Sequence, residues 1–158
     1  MSAERSTNLE IEPASMATAC GPKVDVTSIL KDLLHRADLL SVALLHETGV
    51  VMEQEGDERF QDQGEIGALT AGAFHSTAML GNRLGDSNVE ALCHEGRHQS
   101  FLIIPVDAAH LLLAVFPGAC KPGVVRLCMQ RSAAALRGEQ VGDGARSDVE
   151  TVGDWLGA

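Results

Sequence analysis

The chain is poor in aromatic and basic residues, and both shortages limit what it can bind. Aromatics make up only 3% of its 158 residues, with one tryptophan and no tyrosine. Acidic residues outnumber basic ones by 22 to 12, which gives a formal net charge of −10. Such a chain repels phosphate backbones and offers few rings for base stacking, so we expect no nucleic-acid partner. An anionic membrane surface is disfavoured for the same reason, whereas a basic protein surface would be attracted.

The sequence also lacks the glycine-rich loops that hold nucleotides, and it lacks any convincing set of catalytic residues. It contains no G-x-x-x-x-G-K-[ST] motif, no Gly-Lys pair and no dinucleotide-binding fingerprint. We therefore predict that the protein is not an enzyme and uses no cofactor.

The four cysteines form no C-x-x-C pair and no regular framework. The N-terminal residues contain no apolar run, so we expect no signal peptide. Together these features predict reduced thiols in the cytoplasm. Cys93 and Cys128 lie within apolar patterns, and we expect both to be small core residues.

One zinc-protease pattern does occur, as HEGRH at residues 94–98. This motif works only on a helix, where the two imidazoles lie one turn apart and meet one metal ion. Here both flanks have the pattern of strands, and Gly96 favours a turn. Arg97 would also place a cation beside the metal. We therefore predict a β-hairpin turn at this position and no metal.

The most informative feature is a long helix without charge. Residues 66–82 contain no Asp, Glu, Lys or Arg in seventeen positions. Larger residues recur at helical spacing, and a stripe of mostly small residues lies about 100° around the helix from them. The larger stripe is Ile66, Leu69, Ala73, Thr77, Leu80 and Leu84. The smaller stripe is Gly67, Ala71, Phe74, Ala78 and Gly81.

We expect one stripe to cover the chain's own core and the small one to meet a partner, since small residues let a second backbone come close. A charged face toward water is what a surface helix of a monomer should show, and this helix has none. The alternative is a helix buried within one domain. A membrane span is not expected, because Gly, His, Ser, Thr and Asn interrupt the run before the ~20 apolar residues that a bilayer requires.

Periodicity along the whole chain predicts the order α-β-β-α-β-β-β-α. Asp25 is placed to cap the first helix, and residues 47–49 form a hairpin turn. Residues 53–65 are expected to be a solvated acidic connection, and the last helix is expected at 124–136. The three later strands are predicted at 89–93, 100–106 and 110–116.

Domain organisation is predicted as one folded unit with two tails. Residues 1–23 are polar and expected to be disordered, and residues 24–138 form the domain. Residues 139–158 are expected to be an acidic, flexible tail.

These segments together resemble the Roadblock/dynein-light-chain domain, in particular its bacterial MglB-like members. The resemblance spans residues 24–138 and is carried by LLHETGVVME, EIGALTAGAFHSTAMLGNRLG, VEALCHEGRHQSFLIIPVDAAHLLLAVF and PGVVRLCMQRSAAAL. It is a pattern of elements and small residues, not a catalytic signature. It implies an α/β (α+β) profilin-like sandwich. In that fold a five-stranded antiparallel sheet has the long central helix on one face and the terminal helices on the other.

The resemblance also implies a function. Roadblock domains are non-enzymatic, dimerise through the central helix, and in many cases partner small Ras-like GTPases. It therefore implies a cytoplasmic homodimer that regulates such a GTPase as an activator or an exchange factor. Two alternatives are a scaffold subunit of a motility or transport complex and a profilin-like sensor of a small ligand.

Site residues follow from the same resemblance. The dimer seam is expected near Gly67, Ala71, Gly72, Phe74, His75 and Ala78. Weaker candidates for contact with a partner are Arg83, Arg97 and Trp155.

Overall fold

The computed structural model describes residues 23–57 and 62–139. The predicted tails, including Trp155, lie almost entirely outside the described residues, and the domain bounds stay a prediction. The elements run in the order α1 (Val26–Arg36), β1 (Ser41–His46), β2 (Val51–Gly56), α2 (Gln63–Arg83), β3 (Leu92–His94), β4 (Gln99–Pro105), β5 (His110–Pro117) and α3 (Pro122–Leu136). None of these helices is long and apolar enough to cross a membrane.

The predicted order of elements is confirmed, and local sequence signals explain where most of them begin. Asp25 caps α1, and its carboxylate accepts a hydrogen bond from the Ser28 amide at 3.3 Å. Gly49, with a φ of +95°, lies in the turn between β1 and β2, where the left-handed region favours glycine. Helix α3 begins with Pro122 in its first turn. Backbone N–H groups in the first turn have no partner within the helix, so a proline, which has no N–H, is tolerated there.

Two predictions about the surface are wrong. Residues 53–65 are not one acidic connection, because β2 continues to Gly56 and α2 begins at Gln63. Strand β2 is an edge strand, and an edge tolerates charged residues such as Glu53 and Glu55.

The second wrong prediction concerns Cys93, which is exposed rather than buried. It lies on β3, the opposite edge of the sheet, where the described helices leave it uncovered.

The five strands form one antiparallel sheet in the order β2-β1-β5-β4-β3. The two strands with the most buried residues, β1 and β5, are neighbours, and Ser41 lies opposite Val115 in their register. Because side chains alternate along a strand, each central strand supplies residues to both faces of the sheet.

The helices divide between the two faces as predicted. Helices α1 and α3 cover one face, where Leu33 and Met129 pack with the β1 residues Val42 and Leu44. Helix α2 lies on the other face, over a smaller cluster formed by Ala43, Leu45, Ile103, Leu111 and Leu113. This arrangement is the predicted profilin-like α+β sandwich.

Candidate interaction site

The outward face of α2 exposes large apolar side chains. The helix begins after Asp62, whose carboxylate caps the Glu65 amide at 3.1 Å, and it ends before Gly85, which has a φ of +90°. Four of its large residues are more than half exposed: Leu69 (65%), Met79 (66%), Leu80 (59%) and the C-cap Leu84 (78%). Residues 66–82 of this helix carry no charge, and Arg83 is the exposed charge at its end. Exposed apolar side chains grouped in this way are typical of a surface that binds another molecule.

The inward face of α2 is made by the small stripe. Gly67, Thr70 and Ala71 are buried, and Phe74 packs against the smaller core cluster. A Cβ atom at Gly67 would collide with the carbonyl oxygen of Gly49, so the helix touches the β1–β2 turn backbone to backbone. The small stripe thus faces the chain's own fold, whereas the prediction assigned it to a partner, and the larger stripe is the more exposed of the two. Small residues do permit close approach, but here they approach the chain's own turn.

The six residues predicted for the dimer seam differ in accessibility. Gly67 and Ala71 are buried within the chain, Phe74 and Ala78 are half-buried, and only Gly72 and His75 are exposed. Their place in a dimer stays a prediction, although Gly72 and His75 alone of the six present themselves freely to a second molecule.

The candidate partner-contact arginines lie on different elements. Arg83 is the last residue of α2 and is exposed, whereas Arg97 is exposed in the turn between β3 and β4. The described structure gives no contact that joins them.

Two grooves flank α2, and periodicity gave no sign of either. The first, which we call the sheet groove, lies where Ile66, Leu69, Thr70 and Ala73 of α2 face Phe101 and Val115 of the sheet, and its volume is about 580 Å³. The second, the end groove, lies where Leu80 and Leu84 face Val89, Ala91 and Arg126, and its volume is about 480 Å³.

A smaller pocket of about 210 Å³ lies beside the middle of α2, between Phe74, His75 and Ala78 and the residues Glu47, Asp107 and His110. Asp107 accepts hydrogen bonds from the Ala109 amide at 2.8 Å and from the His110 ring at 2.8 Å. Partial burial acts to raise the pKa of Asp107, but these hydrogen bonds outweigh it and hold the pKa below its ordinary value. The rim of this pocket is therefore negatively charged.

The HEGRH segment forms the predicted hairpin turn. His94 ends β3 and Gln99 begins β4, so residues 95–98 make the connection. The His94 ring stacks on Phe101, with centroids 4.8 Å apart and planes inclined by 16°. The helical geometry of the zinc motif is thus missing. Across residues 23–57 and 62–139, no group of three or more potential ligands is placed to hold a metal ion.

Comparison with known proteins agrees with this architecture. No family model matches the sequence, and no curated protein matches it. Profilin IA of Acanthamoeba castellanii superposes with a TM-score of 0.51 at 14% identity, covering 71% of this chain and 96% of that one. The fold is therefore of the profilin-like class.

Two further structures specify the fold within that class. MglB of Myxococcus xanthus superposes with a TM-score of 0.68 at 22% identity, over 73% of this chain and 94% of that one. A Roadblock/LC7 domain from Streptomyces avermitilis gives a TM-score of 0.65 at 18% identity, over 71% of this chain and 94% of that one. The chain has the Roadblock fold in its MglB-like form.

Proposed function

We propose that the protein is a non-enzymatic homodimer that regulates a small Ras-like GTPase, and that α2 forms its interaction surface. The observation that carries this proposal is the uncharged, exposed apolar face of α2, with Leu69 and Leu80 more than half exposed. Full burial of an exposed apolar side chain of this size is worth about 1.5–3 kcal/mol, and a partner that covers Leu69 or Leu80 would gain the share of this that belongs to the exposed part.

The structural neighbours support an assembly of this kind. An MglB structure that is 21% identical to this chain has a tetrameric arrangement. Its likeness extends to the fold alone, so the oligomeric state of this chain rests on the α2 face itself.

The mechanism that we propose is remodelling of the GTPase, because the sequence contains no nucleotide-binding loop of its own. A protein without its own nucleotide site can act on a GTPase by preferring one arrangement of the switch regions, and it then shifts their populations only by the difference between its two affinities. The proposal therefore requires that the dimer bind the GTP-loaded and GDP-loaded states unequally.

The test is affinity purification from the native cell, followed by binding of the recovered GTPase in each nucleotide state. We expect dissociation constants that differ at least tenfold, which corresponds to about 1.4 kcal/mol. The regulator alone should release no phosphate from GTP. Equal affinity for both states would leave the scaffold function in place of regulation, and recovery of no GTPase would contradict both the activator and the exchange-factor forms of the proposal.

A further inference from the structure

We propose that the outer edge of β2 binds an extended, basic segment of a partner protein, which adds one strand to the five-stranded sheet. This inference goes beyond the proposed GTPase regulation and does not depend on it. The β2 edge shares no residue with the exposed apolar face of α2. A dimer formed through α2 and a segment bound at β2 therefore use different residues.

The backbone of β2 is paired on one side only. Strand β2 ends the sheet, and β1 is the one described strand that pairs with it. The Asp57 amide donates to the Leu40 carbonyl at 2.9 Å, which shows the side that faces β1 at this end of the ladder. Because backbone groups alternate in direction along a strand, those of Glu55 and Glu53 also face β1. The N–H and C=O groups of Gln54 point outward, where an added strand would bond them.

The side chains along this edge select the charge of the partner. The ladder places Glu53 opposite Leu44 and Glu55 opposite Val42, so both carboxylates lie on the sheet face that α1 covers. Lys31 approaches Glu55 only to 3.9 Å, and Glu53 has no ion pair within the described residues. A strand laid along β2 would put two alternate residues across from these carboxylates. Lysine or arginine at both positions would form favourable cross-strand pairs.

The same charges argue against a second copy of the chain as the occupant. Two β2 strands related by a two-fold axis at Gln54 would run antiparallel and place Glu53 of one opposite Glu55 of the other. Like charges directly opposite on neighbouring strands are destabilising. An open edge is prone to pair with any extended chain, and these carboxylates disfavour an acidic one such as this chain, with its net charge of −10.

The length of the regular edge limits the segment that fits. The register between β1 and β2 shifts between Leu44 and Leu45, so the regular edge runs over residues 53–56. Beyond it, Val50 and Met52 are 62% and 53% exposed. An antiparallel segment would therefore carry two basic residues at alternate positions, followed by an apolar residue that contacts these two side chains.

The experiment is a titration of the full chain, followed by nuclear magnetic resonance, with the peptide Thr-Lys-Thr-Lys-Thr-Val blocked at both ends. We expect a saturable shift of the Gln54 amide signal and slower exchange of this amide with solvent. A second peptide with glutamate in place of both lysines should leave the signal unchanged. If the two peptides bind equally, or if neither shifts the Gln54 amide, the proposal is wrong.

Two substitutions of one residue separate the backbone from the side chain. Gln54→Pro removes the outward N–H and should weaken binding of the lysine peptide about fivefold to tenfold, the usual effect of one lost hydrogen bond. Proline is tolerated on an edge strand where the N–H faces solvent. Gln54→Thr is the matched control, because it also loses the side-chain bond from Gln63 at 3.1 Å but keeps the N–H. This variant should bind as the wild type does, and equal weakening in both variants would contradict strand addition.

A charge reversal tests the same site if the proline variant does not fold. Glu53→Lys should weaken binding of the lysine peptide about twofold to fivefold and strengthen binding of the glutamate peptide. Unchanged affinity for both peptides would overturn the basic character of the partner segment. A Gln54 signal that shifts with protein concentration alone would assign the edge to a second copy and would also overturn the proposal.

Discussion

At the scale of single residues, two glycines of the same helix have opposite requirements. Gly67 faces the carbonyl of Gly49 so closely that no Cβ fits, whereas a Cβ on Gly72 meets nothing within 4 Å. Overpacking of this kind typically costs about 1–3 kcal/mol, while alanine in place of an exposed helical glycine gains about 0.5–1 kcal/mol.

We therefore predict that Gly67→Ala lowers the free energy of unfolding by about 1–3 kcal/mol and that Gly72→Ala raises it by up to about 1 kcal/mol. Urea denaturation of the two variants and the wild type measures both changes. Equal effects of the two substitutions would mean that α2 does not lie against the β1–β2 turn.

Cys93 is the residue for which exposure and reactivity diverge. It is exposed on the edge strand, but partial desolvation of its thiol and the neighbouring charge of Glu95 raise its pKa above the ordinary value. Because the thiolate is the nucleophile, a raised pKa leaves less of it at neutral pH.

We predict slow alkylation of Cys93 at pH 7 that accelerates as the pH approaches the raised pKa. Glu95→Gln removes the like charge and should speed the reaction at pH 7, whereas Glu47→Gln, at the distant β1–β2 turn, should not. Mass spectrometry of the peptide that carries Cys93 gives the rates. An unchanged rate in Glu95→Gln would show that its charge has no influence on the thiol.

At the scale of elements, periodicity identified the helices and strands but not the direction in which each face points. The three- and four-residue spacing in α2 is the same whether the small or the large stripe faces inward. The small stripe faces inward because the backbone of the β1–β2 turn occupies the space that a side chain at position 67 would fill. Likewise, the acidic residues Glu53 and Glu55 did not predict a strand. They occur in one because β2 is an edge strand, which pairs with one neighbour only and tolerates charged side chains. Both outcomes depend on contacts between distant parts of the chain.

Substitutions on the outward face of α2 test whether the chain associates with itself through this helix. We predict that Leu80→Glu, which places a charge among the exposed apolar side chains, converts a dimer into a monomer. Gln130→Glu adds the same charge on α3, on the opposite face of the sheet, and should leave the dimer intact. Light scattering at tens of micromolar measures the masses.

Gly72→Arg refines this test. Because the space around Gly72 is open, the folded monomer accommodates the arginine, and any loss of mass reports on the seam itself. A wild-type monomer, or a Leu80→Glu dimer of unchanged strength, would contradict the α2 interface.

At the scale of the whole molecule, the sandwich is asymmetric. Within residues 23–57 and 62–139, helices α1 and α3 cover one face of the sheet, and α2 is the one helix on the other. The sheet groove and the exposed α2 face both arise from this imbalance. The residue pattern predicted five strands and three helices, and the resemblance to the Roadblock domain implied how the helices divide between the two faces. It did not predict the groove, because the position at which α2 crosses the sheet is set by packing at Gly67 and Phe74 and has no periodicity.

The last prediction concerns how the net charge of the whole molecule affects its rate of association with a partner. With a net charge of −10, the chain should be drawn toward a basic surface on its partner, so association should slow as salt rises. Screening shortens the reach of exposed charges from about 10 Å at 0.1 M salt to about 3 Å at 1 M. We expect the association rate constant to fall about tenfold or more over that range while the dissociation rate changes little.

The position of the charge should matter as well as its total. Glu47 lines the acidic pocket beside α2, whereas Asp32 is on α1, on the opposite face, where Arg36 binds it at 2.9 Å. Glu47→Gln should therefore slow association more than Asp32→Asn, although both remove one negative charge. Stopped-flow mixing with the recovered GTPase at several salt concentrations gives both rates. If the two variants slow association equally, attraction acts through net charge alone. If salt has no effect, the partner surface is not basic, and recognition rests on the apolar face of α2.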